Sequence, residues 1–178
     1  MVRPVLEYAA CAWDPYHADH ITRLEAVQRK AARFVTKQHR RDTSVTQLLE
    51  HLQWRSLQER RLQARLAMFY KIIHEQASCI IPPQYQRLNS SSRESHPLQF
   101  SAPRNRVDSF QYSYFPRTTK VWNILPQDAV QAQDVAQFKA ILQQNFNSGS
   151  MYVIPPKSKT DRPRLGSTSR VTRVGPVY

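Results

Sequence analysis

Apolar side chains recur every three or four positions along most of residues 1–148, the spacing of one face of an α-helix. This pattern predicts helices over about 2–13, 17–38, 44–52, 55–76, 116–125 and 134–146. Proline or a typical N-capping residue marks several of the predicted ends, namely Asp14-Pro15, Ser44, Pro126 and Asp134. We therefore expect a mainly α fold, a small helical bundle.

Two of the predicted helices carry an apolar face. The helix over 17–38 has five apolar residues on one side: Leu24, Val27, Ala31, Phe34 and Val35. The helix over 55–76 has a seam of four: Leu62, Leu66, Phe69 and Ile73. We expect both faces to pack inside the bundle, so that Phe34, Phe69 and the later Trp122 lie in the core.

The helical pattern stops in two places. Leu98 and Phe100, and then Phe110 and Tyr112, lie at alternate positions, as in short strands. This pattern predicts an irregular or short two-stranded excursion from the helical fold over 97–113. From Gly149 onward the chain is basic and proline-rich, and it shows no periodicity. These features predict one helical domain over 1–148 and a disordered basic C-terminal tail over 149–178.

Composition narrows the classes of function. Glycine occurs only at 149, 166 and 175, which excludes a glycine-rich phosphate-binding loop from residues 1–148. The chain has 26 Lys and Arg against 13 Asp and Glu, a formal net charge of +13. A charge excess of this size favours a polyanionic partner, with nucleic acid ahead of an anionic membrane surface. The alternative is a basic domain that has no specific partner.

Residues for catalysis or metal binding are scarce in this sequence. The 13 acidic residues are dispersed, and no two are adjacent or separated by a single residue. His17 and His20 share a predicted helical face near Asp14, but no third or fourth zinc ligand accompanies them. Cys11 and Cys79 lie in apolar surroundings that are typical of small buried side chains. We therefore expect no catalytic residue, no metal and no cofactor.

The sequence also bears on location. It contains no apolar run of about 18 residues, the length that a membrane span requires. It has no secretory signal at its N-terminus either. We expect an intracellular protein that is neither secreted nor bound to a membrane.

Basic residues concentrate between positions 23 and 71, where 12 basic residues accompany 4 acidic ones. Lys and Arg that neutralise phosphates release counterions, which gives sequence-independent binding that weakens with salt. The predicted nucleic-acid-binding residues are Arg23, Arg29, Lys30, Arg33, Lys37, Arg40, Arg41, Arg60, Arg61 and Arg65. The alternative is a basic helix face that is merely solvated. Arg117 is either a phosphate contact or a cap for a neighbouring helix.

Four segments, in order, look like a known region of mobile-element proteins. They are residues 2–9 (VRPVLEYA) with 13–16 (WDPY), residues 24–35 (LEAVQRKAARFV), residues 54–61 with 66–73, and residues 114–126 (YFPRTTKVWNILP). Together they resemble the stretch C-terminal to the polymerase core, next to the thumb, in non-LTR retrotransposon reverse transcriptases of the jockey/CR1-like type. The resemblance covers about residues 1–146.

The resemblance carries expectations about function. In that family, catalysis belongs to a palm domain with an upstream Ala-Asp-Asp motif, which this sequence does not contain. The resemblance therefore implies a truncated, non-catalytic fragment that works with RNA or DNA in the nucleus. Its implied partners are a phosphate backbone and, in the parent element, the missing polymerase core.

A second hypothesis belongs to another class of function. The chain is then a decayed protein-interaction remnant with no independent biochemical role. Apolar faces that once packed against the polymerase core would be exposed, and they would drive self-association.

Overall fold

The computed structural model describes residues 7–38, 43–88, 96–101, 103 and 107–148, and this part of the chain is mainly helical. Its elements are α1 (Ala18–Val35), α2 (Val45–His51), α3 (Leu57–Ile73), β1 (Arg87–Leu88), β2 (Gln99–Phe100), α4 (Asp108–Gln111), α5 (Tyr114–Trp122), α6 (Gln127–Val130) and α7 (Val135–Asn147). The mainly α fold with a short two-stranded excursion is confirmed. The predicted disordered tail over 149–178 lies outside the described residues.

Side-chain caps explain where two of the predicted helices begin. The hydroxyl of Ser56 accepts the N–H of Glu59 at 3.1 Å at the start of α3. The carboxylate of Asp134 accepts the N–H of Gln137 at 2.6 Å at the start of α7. Such caps satisfy backbone donors that have no partner within the helix. Ser44 occupies the same position before α2, but its side chain forms no capping hydrogen bond.

The predicted helix over 2–13 is wrong in its second half, where residues 8–13 form turns. Ala9 has a φ angle of 48°, which lies outside the right-handed helical region. The indole N–H of Trp13 donates to the carbonyl of Tyr8 at 2.6 Å and closes this turn. Residues 2–6 lie outside the described part of the chain.

The core forms around α3, whose seam packs against α5 and α7. Leu66, Phe69, Trp122 and Phe138 are fully buried. The ring of Phe69 lies 5.2 Å from that of Trp122, in the edge-to-face arrangement that aromatic pairs favour. The expected core positions of Phe69 and Trp122 are therefore confirmed.

The two-stranded excursion differs in part from the predicted pair. β2 forms at 99–100 as expected, but it pairs antiparallel with β1, whereas residues 108–111 form α4. The side chain of Asn123 holds β2 in place, since its amide donates to the carbonyl of Phe100 at 2.8 Å and accepts the N–H of Phe100 at 3.0 Å. The indole of Trp122 donates to the carbonyl of Leu98 at 2.7 Å. The end of α5 thus supplies hydrogen-bond partners for the backbone over 98–100.

Candidate nucleic-acid interface

Polar contacts attach α1 to the bundle. Its buried residues are Gln28 and Ala32, which lie one helical turn apart. The amide of Gln28 donates to the carbonyl of Arg55 at 2.7 Å. The carboxylate of Glu25 accepts the N–H of Gln58 at 3.0 Å, near the start of α3. These hydrogen bonds fix the rotation of α1 about its own axis.

The rotation turns most of the predicted apolar face of α1 toward solvent. Phe34 is 76% exposed, Val35 56% and Val27 40%. The expectation that Phe34 lies in the core is therefore wrong. The periodicity identified an apolar face correctly, but Gln28 and Glu25 bind the neighbouring backbone, so the side of α1 that carries them is the inner one.

A basic surface runs along the outer side of α1. Arg23, Arg29, Lys30 and Lys37 are exposed, and Arg33 is half-buried. We call these five residues the α1 basic face. Within the described part of the chain, no carboxylate forms an ion pair with any of them.

A purely structural role accounts for some of this charge. Arg33 lies in the last turn of α1, and Lys37 follows its end, where a cation stabilises the negative end of the helix dipole. Lys37 also has a φ of 54°, beyond the helix end. Arg23, Arg29 and Lys30 precede the last turn, so the dipole does not account for their presence.

The basic residues predicted on α3 lie inward, which corrects their place in the interface. Arg60 pairs with Glu7 and donates to the side-chain oxygen of Gln28 at 2.5 Å. Arg61 is buried, and its guanidinium carbon lies 3.9 Å from the centre of the Trp13 ring. Both side chains are held within the fold, so we leave them out of the interface.

Arg65 belongs to a buried ion cluster around Asp14. Its guanidinium donates to the Asp14 carboxylate at 2.6 Å, and Arg61 lies 3.7 Å from the same group. Arg117 approaches this carboxylate at 2.9 Å. We call these four residues the Asp14 cluster. Burial, together with the adjacent Arg117, lowers the pKa of Arg65 to about 10.

The Asp14 cluster joins three parts of the fold. Arg117 also donates to the backbone carbonyls of Asp14 at 3.2 Å and Pro15 at 3.4 Å, just before α1. Arg117 therefore binds the loop before α1 and does not cap a neighbouring helix, which was one of the two roles left open for it. Arg61 and Arg65 come from α3 and Arg117 from α5, so the cluster fixes the start of α1 relative to both helices.

The remaining sequence-based candidates have different outcomes. Arg40 and Arg41 lie outside the described residues. The rings of His17 and His20 lie 5.7 Å apart at the start of α1. Among the described residues, no group of three or more His, Cys, Asp or Glu side chains is placed to hold a metal ion.

Cys79 is exposed and Cys11 half-buried, so the expectation of two buried thiols is wrong.

No helix in the described part of the chain combines the length and apolar character needed to span a bilayer. Comparison of the chain with protein-family models, with curated proteins and with solved structures finds no match in any of the three.

Proposed function

We propose that the chain binds the phosphate backbone of RNA or DNA, without catalysis, through the α1 basic face. The observation that carries this proposal is the row of exposed cations along one side of α1, which form no ion pair with any carboxylate of the described residues. Phosphates bound there would release counterions, so the affinity would be independent of base sequence and would fall with salt.

We propose further that the chain derives from the region C-terminal to the polymerase core of a retrotransposon reverse transcriptase. The support is the resemblance of the four segments, together with the contact among three of them. Asp14 lies in the first segment, Arg61 in the third and Arg117 in the fourth, and all three belong to the Asp14 cluster. On this proposal the chain acts on nucleic acid in the nucleus.

The exposed apolar side chains favour a second candidate, the protein-interaction remnant. Besides Phe34, Tyr8 is 78% exposed and Ile80 is 88% exposed. Burying such side chains against a second copy would drive self-association. Sedimentation of the chain at increasing protein concentration tests this candidate, which predicts oligomers, whereas backbone binding needs only the monomer.

The test of backbone binding uses the full chain and two sets of four substitutions. The first changes Arg23, Arg29, Lys30 and Lys37 of α1 to Gln. The matched control changes four exposed cations on other elements to Gln: Lys71, Arg87, Lys120 and Lys139. Both variants lose four positive charges, so a difference in binding between them reflects the position of the charges and not their number.

Binding of a fluorescently labelled oligonucleotide is followed by anisotropy between about 50 and 200 mM salt. We expect the α1 variant to lower the slope of log affinity against log salt by about 3, because each lost phosphate contact removes about 0.7–0.9. The control should retain a slope close to that of the parent chain. Equal loss in both variants would overturn the proposal, since binding would then follow net charge alone.

A further inference from the structure

An exposed aromatic ring lies beside the α1 basic face. Phe34 is 76% exposed. Lys30 precedes it by four residues, a spacing that brings side chains together on a helix surface. An apolar partner that covered Phe34 would therefore also remove the charge of Lys30 from water.

Aromatic rings also gather at the opposite end of α1. The rings of Tyr16 and Tyr112 stack with centroids 4.4 Å apart and an angle of 5° between their planes. His17 lies 4.3 Å from Tyr16, and the exposed His20 lies 5.7 Å from His17. This row of rings leads from α4 to the first turn of α1.

His20 and Phe34 are joined by one stripe of side chains along the helix. The stripe is His20, Arg23, Val27, Lys30 and Phe34, with steps of three or four residues. All five side chains are exposed. At a rise of about 1.5 Å per residue, the stripe is about 21 Å long. It thus has a ring at each end and two cations between them.

A surface with two cations between two rings matches the chemistry of a single strand better than that of a duplex. A single strand offers both phosphates and unpaired base faces, and the bases stack on exposed aromatic side chains. A duplex keeps its base faces inside its own stack, so that Phe34 would gain nothing from it. An acidic peptide would use the cations but would leave the ring without a role.

We propose that α1 binds single-stranded nucleic acid, with Phe34 stacked on a base while Arg23 and Lys30 contact the phosphates. This inference rests on the proposed backbone binding and adds the strandedness of the ligand. Binding remains independent of sequence, because every base has a face on which an aromatic ring stacks.

The test substitutes Phe34 in the full chain and compares a labelled oligonucleotide with the same oligonucleotide annealed to its complement. We expect Phe34→Ala and Phe34→Leu to weaken single-strand binding by about 5- to 150-fold, the range for one lost stacked base. Phe34→Trp should retain the affinity, since it keeps an aromatic face. Duplex binding should change less than twofold, and the salt slope should not change, because every cation remains. The control Ile80→Ala, at another exposed apolar residue, should leave both affinities unchanged.

Several outcomes would overturn the inference. Equal loss of single-strand and duplex binding would show that Phe34 does not distinguish a single strand from a duplex. Full retention in Phe34→Leu would show apolar packing in place of stacking. Self-association that Phe34→Ala abolishes would identify the stripe as a protein-docking face. Salt-dependent binding that no Phe34 substitution affects would end this inference but leave backbone binding standing, whereas absence of salt-dependent binding in the parent chain would end both.

Discussion

The carboxylate of Asp14 lies 2.6 Å from a guanidinium nitrogen of Arg65, although 51 positions separate the two residues in the chain. Arg61 and Arg117 surround the same carboxylate. One acid thus compensates three nearby guanidinium groups, and the arginines that could have served a ligand are committed to the fold. Arg23, Arg29, Lys30 and Lys37 of the α1 basic face, by contrast, are exposed.

Asp14→Asn should destabilise the protein strongly, because it removes the carboxylate that faces three guanidinium groups. Leaving buried charge uncompensated costs about 3–5 kcal/mol. Urea unfolding followed by circular dichroism measures the change in unfolding free energy. Glu50→Gln, at an exposed acid on α2, is the control and should stay within about 0.5 kcal/mol. A loss below about 1 kcal/mol in Asp14→Asn would contradict a structural role for the cluster.

Phe69→Ala and Phe34→Ala should differ sharply in stability, although the pattern of the sequence places both rings in the core. Phe69 is fully buried, so its truncation should cost about 3–5 kcal/mol. Phe34 is mostly exposed, and its truncation should cost no more than about 0.5 kcal/mol. Urea unfolding of the two variants side by side decides the point. Similar losses in both would mean that Phe34 packs inside the bundle.

Asn123→Asp should weaken the attachment of β2. The amide of Asn123 both donates to and accepts from the backbone of Phe100, and a carboxylate retains only the acceptor. The unmatched carbonyl should cost about 1–3 kcal/mol. Hydrogen exchange of the Phe100 amide should quicken, since local opening becomes easier. Gln143→Glu, exposed on α7, adds the same charge and should leave that exchange rate unchanged.

Stability should fall as the pH rises above 9.0 through Cys11, among other groups. Its thiol donates to the carbonyl of Ala64 at 3.6 Å, and burial raises its pKa above the ordinary value of 9.0. The folded chain then holds a proton that the unfolded chain releases. The corresponding stability is complete below pH 9.0 and is lost as the pH rises through the higher folded-state pKa.

Cys11→Ala should therefore flatten the plot of unfolding free energy against pH in this window, by less than about 1.4 kcal/mol per pH unit. The matched variant is Cys79→Ala, which removes an exposed thiol. Equal flattening in both variants, or a steeper plot in Cys11→Ala, would contradict the assignment to Cys11.

Much of the fold could be predicted because local chemistry specifies it. Asp134 caps its helix as predicted, and the seam through Leu66 and Phe69 has the helical period. Two segments depart from the predicted pattern. Ala9 has a positive φ where the first helix was expected to continue, and residues 108–111 form a helix where alternation predicted a strand.

The candidate site was harder to predict because a charged residue in the sequence does not show whether its side chain faces solvent or the interior of the fold. Arg61 and Arg23 look alike in sequence, yet Arg61 lies over Trp13 while Arg23 is exposed. Which side of α1 faces inward depends on distant backbone groups, since Gln28 donates to the carbonyl of Arg55 and Glu25 accepts the N–H of Gln58. Because polar side chains usually mark the solvent-facing side of a helix, the sequence alone favours the opposite rotation of α1.

The most direct test of the central claim is amide chemical-shift mapping of the isotope-labelled full chain during titration with a short single-stranded oligonucleotide. If the α1 basic face binds nucleic acid, the largest shifts should fall on residues 20–37, and they should diminish as salt is added. Resonances of the Asp14 cluster should move little, because its arginines are held by Asp14. Shifts confined to residues outside α1, or none at all, would contradict the account.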